Sequence, residues 1–237
     1  MKKPNQVGRT FAACLIIFVG IGTIGGSRAQ QATTPPKEAA NPSAKDILAQ
    51  VRLAYASLST YRDTGWTVHQ YKGDSWTNLF TELLGTRTCY RVEVVTAAHP
   101  FSRTNRFWCD GLENCCQMGG PTVFRGSDLT VNLARVFDDT CIPAVYFLLQ
   151  WGNVFTPFKL GPDTELLRKP DETLGDESCF VVARTTPANP ATVWVGKRDF
   201  LIRRSQTNSR IETHEHISTN EQFQVTDYVP LSARGSR

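Results

Sequence analysis

Residues 64–84 read TGWTVHQYKGDSWTNLFTELL, and the alternation of side chains in this stretch decides the fold class. Trp66 and Val68 alternate with polar neighbours, which is the period of two expected of a strand with one buried face. A Gly-Asp pair at 73–74 then indicates a turn, and a second apolar run follows at 76–84. The stretch therefore predicts two antiparallel strands joined by a short connection.

The rest of the sequence repeats this pattern, with short turn signals between the runs. Consecutive strands joined by short turns form an antiparallel meander, whereas βαβ units need a helix between each pair of strands. We therefore expect an α+β fold with a curved antiparallel sheet of about ten strands. Further strands are predicted at 88–96, 105–110, 115–118, 210–219 and 221–229, two more within 165–186, and a hairpin within 191–208.

Two regions of the sequence predict helices. Ser43 is a favourable N-cap with Asp46 three residues later, and apolar residues then recur at helical spacing, so a helix is predicted over 44–61. Residues 132–158 are dense in apolar side chains on all sides, which is typical of a helix that is buried or lies across a cavity. We expect this region to form a central helical lid over the sheet. Its predicted helices span 128–137 and 142–151.

The beginning of the chain is typical of a secretory signal peptide. A basic start, an apolar run and small residues at its end predict cleavage after Ala29, so residues 1–29 are assigned to the signal. The apolar run is shorter than the roughly 20 residues that a membrane-spanning helix needs, so no transmembrane span is expected in the mature chain. Residues 30–42 predict a flexible linker and 43–237 a single domain. The expected location is the bacterial periplasm or the exterior of the cell.

The net charge argues against nucleic acid as a partner. The chain has 26 basic and 22 acidic residues, but Lys2, Lys3, Arg9 and Arg28 lie in the predicted signal peptide, which contains no acidic residue. Cleavage leaves 22 residues of each sign. A sequence-independent nucleic-acid binder needs a basic excess to displace counterions from phosphates, and the mature chain has none.

Six cysteines follow the predicted cleavage site. An even number in an exported chain favours disulfide bonds, and the sequence does not choose among the roughly 15 pairings that six cysteines allow. Two of the six are adjacent, and they are expected to point to opposite faces if they lie in a strand. The six are Cys89, Cys109, Cys115, Cys116, Cys141 and Cys179.

The sequence contains no GxSxG, HExxH, P-loop or C-x-x-C motif, so we expect no catalytic residue, no cofactor and no metal. The nearest approach to a metal motif is the pair His214 and His216, two residues apart with Glu212 beside them. We interpret these residues as the solvated face of a late strand. A secreted metal-dependent enzyme that uses both histidines is the weaker alternative.

Residues 192–206, TVWVGKRDFLIRRSQ, predict a hairpin that carries four basic side chains and one acidic side chain. Trp194 is predicted on the face opposite to its two valine neighbours, and 196–199 are predicted to form the turn. Because the mature charge is balanced, we interpret the basic side chains as solvated or paired charges, which also discourage aggregation. A contact of Arg203 or Arg204 with an anionic head group is the alternative.

Aromatic side chains are spread over many of the predicted elements. An ordinary aromatic core explains them, but an apolar cavity between the sheet and the central helices is the more specific hypothesis and suits acyl chains. In this hypothesis the strands supply Trp66, Val68 and Trp194 to the cavity wall, and the lid supplies Phe147, Leu148, Trp151 and Phe155.

Three segments resemble the periplasmic lipoprotein-carrier family (LolA/LolB-like) and related envelope proteins of unassigned role. They are AKDILAQVRLAYASLSTYRDTG at 44–65, FTELLGTRTCYRVEVV at 80–95 and LGDESCFVVARTTPANPATVWVGKRDFLIRRSQ at 174–206. The resemblance implies an incomplete antiparallel barrel with helices as a lid over an apolar cavity. It also implies a role in shielding lipoprotein acyl chains in transit to the outer membrane.

These observations together predict an exported, non-enzymatic protein that holds a lipid or an acylated protein. An envelope protein as a further partner is left open. The alternative from a different class is an interaction or structural module of the cell envelope that has the same sheet and a filled interior.

Overall fold

The computed structural model describes residues 41–86, 88–98, 101–126, 165–186 and 190–233, and everything below concerns these ranges. The predicted signal peptide, nearly all of the predicted linker and both predicted central helices lie outside them. No helix in the described part of the chain combines the length and the apolar character needed to cross a bilayer.

Helix α1 (Ala44–Ser57) begins where the sequence predicts. The Ser43 hydroxyl accepts a hydrogen bond from the backbone N–H of Asp46 (3.2 Å), and the Asp46 carboxylate accepts one from the Ser43 N–H (3.1 Å). This reciprocal capping box satisfies two backbone donors that the helix itself leaves without partners. The predicted end at residue 61 is wrong, because Leu58 is already extended (φ −76°, ψ 134°) and Tyr61 begins the first strand.

Eleven strands in the described residues form one sheet, and every neighbouring pair is antiparallel. The strands are β1 (Tyr61–Tyr71), β2 (Asp74–Thr86), β3 (Cys89–Ala98), β4 (Phe101–Asp110), β5 (Asn114–Met118), β6 (Val123–Arg125), β7 (Leu166–Leu174), β8 (Glu177–Arg184), β9 (Ala191–Gly196), β10 (Ile202–Thr207) and β11 (Arg210–Thr219).

The strand order is β6-β5-β4-β3-β2-β1-β11-β10-β9-β8-β7, so two sequential meanders meet where β1 pairs with β11. The sheet is open, with β6 and β7 at its two ends. The predicted antiparallel sheet with an N-terminal helix is confirmed, although the sequence did not predict β6. The predicted helical lid lies outside the described residues.

The first hairpin turns one residue earlier than predicted. Lys72 and Gly73 both have positive φ, at 50° and 92°, and Tyr71 pairs directly with Asp74. Two consecutive residues with positive φ form a type I′ turn, whose twist matches that of the strands it joins. The predicted turn at Gly73-Asp74 is therefore shifted because Lys72 adopts the left-handed conformation.

Alternation along the strands gives the sheet two faces. We call the face that packs against α1 the inner face and the opposite one the outer face. Tyr55 of α1 joins the two layers, since its ring lies 5.6 Å from that of Tyr61 and its hydroxyl accepts a hydrogen bond from the Ile202 N–H (3.2 Å). Burying each large apolar side chain contributes about 1.5–3 kcal/mol, so this core stabilises the sheet. Buried apolar side chains of the inner face include Tyr61, Phe80, Leu84, Tyr90, Val92, Val94, Phe107, Val182, Val193 and Val195.

The predicted last strand at 221–229 is wrong. Asn220 has a φ of 59°, in the left-handed region, and turns the chain away from the sheet at the end of β11. A 3₁₀ turn follows at Val225–Tyr228, and Val229 then packs against Trp108 on the outer face. The apolar residues that resemble a strand in the sequence therefore cover the first meander instead of extending the second.

The five described cysteines form no disulfide bond with one another, contrary to the expectation from their even number, and Cys141 lies outside the described residues. The strand register explains this, because Asn114 stands opposite Cys109, and Phe107 stands opposite Cys116. Cys116 packs in the inner core and its neighbour Cys115 packs beside Trp108 on the outer face, so the predicted opposite orientation is confirmed.

Candidate functional site

A group of polar side chains lies buried on the inner face where β1 and β11 pair. His214 Nδ1 is 2.6 Å from Oδ2 of Asp63, and His214 Nε2 is 3.0 Å from Oε1 of Glu212. The Tyr61 hydroxyl donates a hydrogen bond to the same Asp63 oxygen (2.9 Å). The side chains of His214, Asp63 and Glu212 are completely buried. We call these four residues the seam cluster.

His214 is not on a solvated strand face, as the sequence interpretation had it, because it pairs with Gly65 on the inner face, and a bulge in β11 separates it from His216. The bulge places two residues of β11 opposite Asp63 and so interrupts the alternation of side chains. His216 lies in this bulge with a φ of 50° and is exposed, whereas His214 points into the inner face. The two histidines therefore do not share an environment.

Gly65 makes room for the seam cluster. A Cβ atom at this position would lie 2.1 Å from the Thr213 carbonyl oxygen and 2.4 Å from Cζ of Phe80, so no larger residue fits without a shift. The Phe80 ring occupies the space over Gly65 and lies 5.2 Å from the His214 ring. The absence of a side chain at Gly65 therefore leaves space for the Phe80 ring to pack beside the His214 imidazole.

Charges in the seam cluster keep His214 protonated. Burial alone disfavours the charged imidazolium, but the hydrogen bonds and negative charges of Asp63 and Glu212 outweigh it and raise the pKa of His214 from 6.5 to about 10. Arg210 adds a second cation, with its Nε 4.0 Å from Glu212 Oε2. Burial, and after it the negative charge of Asp63, raises the pKa of Tyr61, so the phenol stays protonated and donates.

The geometry of the seam cluster is suited to holding two strands together and not to catalysis. Each imidazole nitrogen of His214 already contacts a carboxylate, so neither nitrogen is placed to take a proton from a substrate. Within the described ranges, no group of three or more His, Cys, Asp or Glu side chains could hold a metal ion. Within these ranges, His214 and His216 therefore do not form the metal site that the weaker sequence alternative requires.

On the outer face, a row of directly paired residues crosses eight strands from β7 to β3. We call it the outer row. Its middle is polar at Arg204 and Thr213, and its two ends differ in character. The end at β7 begins with a lysine, and the end at β3 is apolar. In order, the residues are Lys169, Val181, Trp194, Arg204, Thr213, Trp66, Leu79 and Val95.

The apolar end of the outer row is partly exposed to solvent. Leu79 keeps 53% of its surface accessible, and its cross-strand neighbours Trp66 and Val95 are half-buried. Val68, two residues after Trp66, is also half-buried and stands opposite Ile211. We call these five residues the apolar stripe. An exposed group of apolar side chains of this kind marks a binding surface more often than isolated exposed residues do.

An open groove of about 480 Å³ lies beside Trp194 at the other end of the outer row. The indole N–H of Trp194 donates a hydrogen bond to Oε2 of Glu172 (2.8 Å), which fixes the ring. The Arg204 guanidinium lies 5.8 Å from the ring centroid, within the range of a cation–π contact. Behind the ring lies Cys179, whose pKa burial raises to about 11, so this thiol stays protonated at neutral pH.

Three of the four basic side chains of the 192–206 hairpin are paired with acids, as predicted, and the fourth, Arg204, lies against the Trp194 ring. Lys197 contacts Asp171, Arg198 contacts Glu177, and Arg203 Nη2 lies 2.5 Å from Asp199 Oδ2. Trp194 faces away from Val193 and Val195, which pack in the inner core, and this prediction is also confirmed. Of the two residues that the alternative assigned to a head group, Arg203 is held by Asp199, whereas Arg204 lies over the Trp194 ring.

Of the seven residues predicted to line a ligand cavity, the structure describes three. Trp66, Val68 and Trp194 lie on the same face of the sheet, and Trp194 also lines the groove. Their contact with a ligand stays a prediction. The four predicted lid residues, Phe147, Leu148, Trp151 and Phe155, lie outside the described residues.

Sequence reasoning missed the seam cluster, although a signal for it was present. Tyr61, Asp63 and Thr67 recur at a period of two in β1, which marks a polar strip on the buried face. The helix predicted to run to residue 61 hid the start of this pattern. The pairing of β1 with β11, which brings Asp63 to His214, joins residues too far apart in the sequence for local patterns to predict.

Comparison with known proteins gives a likeness in fold. The lipoprotein LppX of Mycobacterium tuberculosis aligns with 78% of this chain and 100% of its own at 15% identity, with a TM-score of 0.46. MucB aligns with 79% of this chain and 62% of its own at 13% identity, with a TM-score of 0.45. A LolA-superfamily protein of Nitrosomonas europaea aligns with 80% of this chain and 98% of its own at 9% identity, with a TM-score of 0.37.

The family that the sequence resembles is thus represented among the solved structures to which this chain is similar. No protein-family profile and no curated protein matches the sequence.

Proposed function

We propose that this chain is an exported, non-enzymatic binding protein of the periplasm or cell exterior that holds a lipid or the acyl chain of a lipoprotein. The observation that carries the proposal is the partly exposed apolar stripe, which is continuous through the outer row with the groove beside Trp194. The sequence resemblance to lipoprotein carriers supports the same function.

The apolar stripe provides the binding energy for an acyl chain. Each methylene group moved from water to an apolar surface contributes about 0.8 kcal/mol, so contact with about ten methylenes is worth several kcal/mol after the entropy of binding is subtracted. Leu79, more than half exposed, has the most surface to lose in such a contact. Trp66 and Val68 of the neighbouring strand add apolar surface beside Leu79. In the proposal, the four lid residues predicted from the sequence cover the bound chain.

Binding of cis-parinaric acid, a fluorescent fatty acid, tests the proposal. We expect saturable binding to the wild-type protein and binding weakened at least several-fold by Leu79→Gln. Leu53→Gln is the matched control, because Leu53 is a comparably exposed leucine (62%) on α1, away from the outer face. Absence of saturable binding to the wild type, together with absence of lipid adducts in native mass spectra of protein purified from the cell envelope, would show that the proposal is wrong.

A second candidate function is a non-catalytic interaction module of the cell envelope. The packing of the inner face favours it, since Val94 and Phe107 there have no exposed surface at all. In that case the apolar stripe would bind an envelope protein instead of a lipid. The fluorescence experiment separates the two candidates, because a protein-binding stripe gives no saturable signal with a free fatty acid.

A further inference from the structure

Arg204, in the middle of the outer row, is a cation without an acidic partner in the described part of the chain. Its cross-strand neighbours are Trp194 of β9 on one side and Thr213 of β11 on the other. Arg203, the residue before it, is held by Asp199, whereas no carboxylate within the described ranges forms an ion pair with Arg204. The contact of an acyl chain with the apolar stripe leaves this charge unexplained.

The acidic side chains around Arg204 do not neutralise it. Glu172 accepts the indole N–H of Trp194 at 2.8 Å, and Glu177 is bound by the guanidinium of another arginine of the hairpin. Glu215 of β11 is exposed to solvent and lies beyond ion-pair distance of Arg204. The positive charge of Arg204 is therefore available to a ligand.

The Trp194 ring positions the Arg204 guanidinium. Trp194 is only 7% exposed, and the guanidinium carbon lies 5.8 Å from the ring centroid. A guanidinium that rests against an aromatic ring keeps the N–H donors at its edge free to bind an acceptor. Of its three nitrogens only Nε is buried, and none of the three has a hydrogen-bond partner in the part of the chain that the structure describes. The two terminal nitrogens therefore offer an accessible fork of donors.

Thr213 supplies a further donor beside Arg204. Its hydroxyl oxygen is buried and has no hydrogen-bond partner among the described residues, although the side chain as a whole is partly exposed. A buried hydroxyl without a partner is unfavourable, so a ligand atom that accepts from it is stabilised. Rotation about χ1 moves the hydroxyl to another staggered position, from which it can donate to a group bound at Arg204.

The outer row leads from these two donors into the apolar stripe. Thr213 stands directly opposite Trp66, and Leu79 and Val95 follow on the next two strands. Arg204 and Val95 are four strand spacings apart, which is about 19 Å. An extended amphiphile can therefore place its polar end at Arg204 and its chain over the apolar stripe.

We infer that Arg204 and Thr213 form a subsite for the carboxylate of a free fatty acid whose chain lies on the apolar stripe. The acyl part of this inference rests on the proposed function, and the carboxylate part rests on the two donors alone. A carboxylate is planar, and its two oxygens match the two parallel N–H donors of one arginine. The subsite narrows the ligand class to free fatty acids, because the carboxyl group of a lipoprotein acyl chain is esterified or amidated and has no charge.

The fluorescent cis-parinaric acid and its methyl ester test the inference, because they share one chain and differ in the charge of the head group. Fluorescence titrations at neutral pH compare the wild type with Arg204→Gln. We expect the wild type to bind the acid at least ten-fold more tightly than the ester, and Arg204→Gln to lose this preference by weakening the acid alone. Arg52→Gln is the matched control, because Arg52 is an exposed arginine on α1, and it should bind both probes like the wild type.

Two more variants distinguish carboxylate binding from a structural role of Arg204. Thr213→Val keeps the shape of the side chain and removes the hydroxyl, so we expect weaker binding of the acid by several-fold and unchanged binding of the ester. Arg204→Lys keeps the charge without the planar fork and should retain only part of the preference for the acid. Unchanged ester binding also shows that a variant is folded, and Thr213→Val decides the question if Arg204→Gln does not fold.

The outcomes separate this inference from the proposed function. Equal affinity of the wild type for acid and ester, or an unchanged preference in Arg204→Gln, overturns the carboxylate subsite and leaves acyl binding intact. Absence of binding of both probes to the wild type overturns the proposed function and this inference together. A preference for the acid that Arg204→Gln removes, with full affinity retained in Leu79→Gln, supports the carboxylate subsite and overturns the placement of the chain on the apolar stripe.

Discussion

Nδ1 of His214 lies 2.6 Å from Oδ2 of Asp63, a residue 151 positions earlier in the chain. This contact joins β1 and β11, the first and last strands along the chain, which are neighbours at the centre of the sheet. Both side chains are buried away from solvent. A buried ion pair of this kind contributes little net stability compared with apolar packing, but removing one partner leaves a buried charge without compensation. The pair therefore makes the pairing of β1 with β11 specific.

The protein should become less stable at alkaline pH, because His214 loses its proton there. The pKa of this residue is raised from 6.5 to about 10 on folding, so its contribution is fully present below pH 6.5 and is lost as the pH rises through 10. We expect the free energy of unfolding in urea to fall over this window. In the variant His214→Gln the fall should be smaller, and an equal fall in both proteins would contradict the assignment.

Replacing Asp63 should affect both stability and the titration of His214. Asp63→Asn keeps the shape of the side chain and removes its charge, so we expect a loss of about 3–5 kcal/mol in the free energy of unfolding. The pKa of His214 should move down toward its ordinary value, which NMR titration of the imidazole measures. Asp176→Asn, in the exposed turn between β7 and β8, is the control and should change stability by less than about 0.5 kcal/mol.

Gly65→Ala should destabilise the protein by about 1–3 kcal/mol, the usual cost of overpacking a core. The added methyl group would meet the backbone oxygen of Thr213, which moves less readily than a side chain, as well as the Phe80 ring. Gly120→Ala serves as the control, because a Cβ atom added there would have its nearest heavy-atom neighbour 4.0 Å away. Thermal unfolding of the two variants gives the comparison, and similar melting temperatures would argue against the close packing at Gly65.

Iodoacetamide should modify Cys179 slowly in the folded protein. The thiolate is the reactive form, and burial raises the pKa of this thiol to about 11. The partly exposed Cys89 should be modified first, and peptide mass spectrometry distinguishes the two sites. In denaturant both should react at similar rates. Rapid modification of Cys179 in the native state would show that β8 and β9 open more readily than the packing around Trp194 indicates.

Local patterns in the sequence predict most of the strands but not how the two meanders join. The period of two places Trp194 opposite to its valine neighbours, and the capping residues place the start of α1, because both depend on residues close in the chain. The bulge at His216 and the burial of His214 depend on pairing with β1, which is about 150 residues away. The groove has the same origin, since Lys169, Arg184 and Trp194 come from three successive strands and converge only through their register.

Because β1 pairs with β11, the sheet cannot be completed until the last strand has been synthesised. Each meander is built from neighbours in sequence and can form as its residues emerge, whereas the central pairing must wait for the final strand. Contacts between residues so far apart slow folding, because the chain loses loop entropy before it gains their stabilisation. Until β11 is complete, β1 presents an edge with unsatisfied backbone groups, so a truncated chain is the form of this protein most exposed to aggregation and proteolysis.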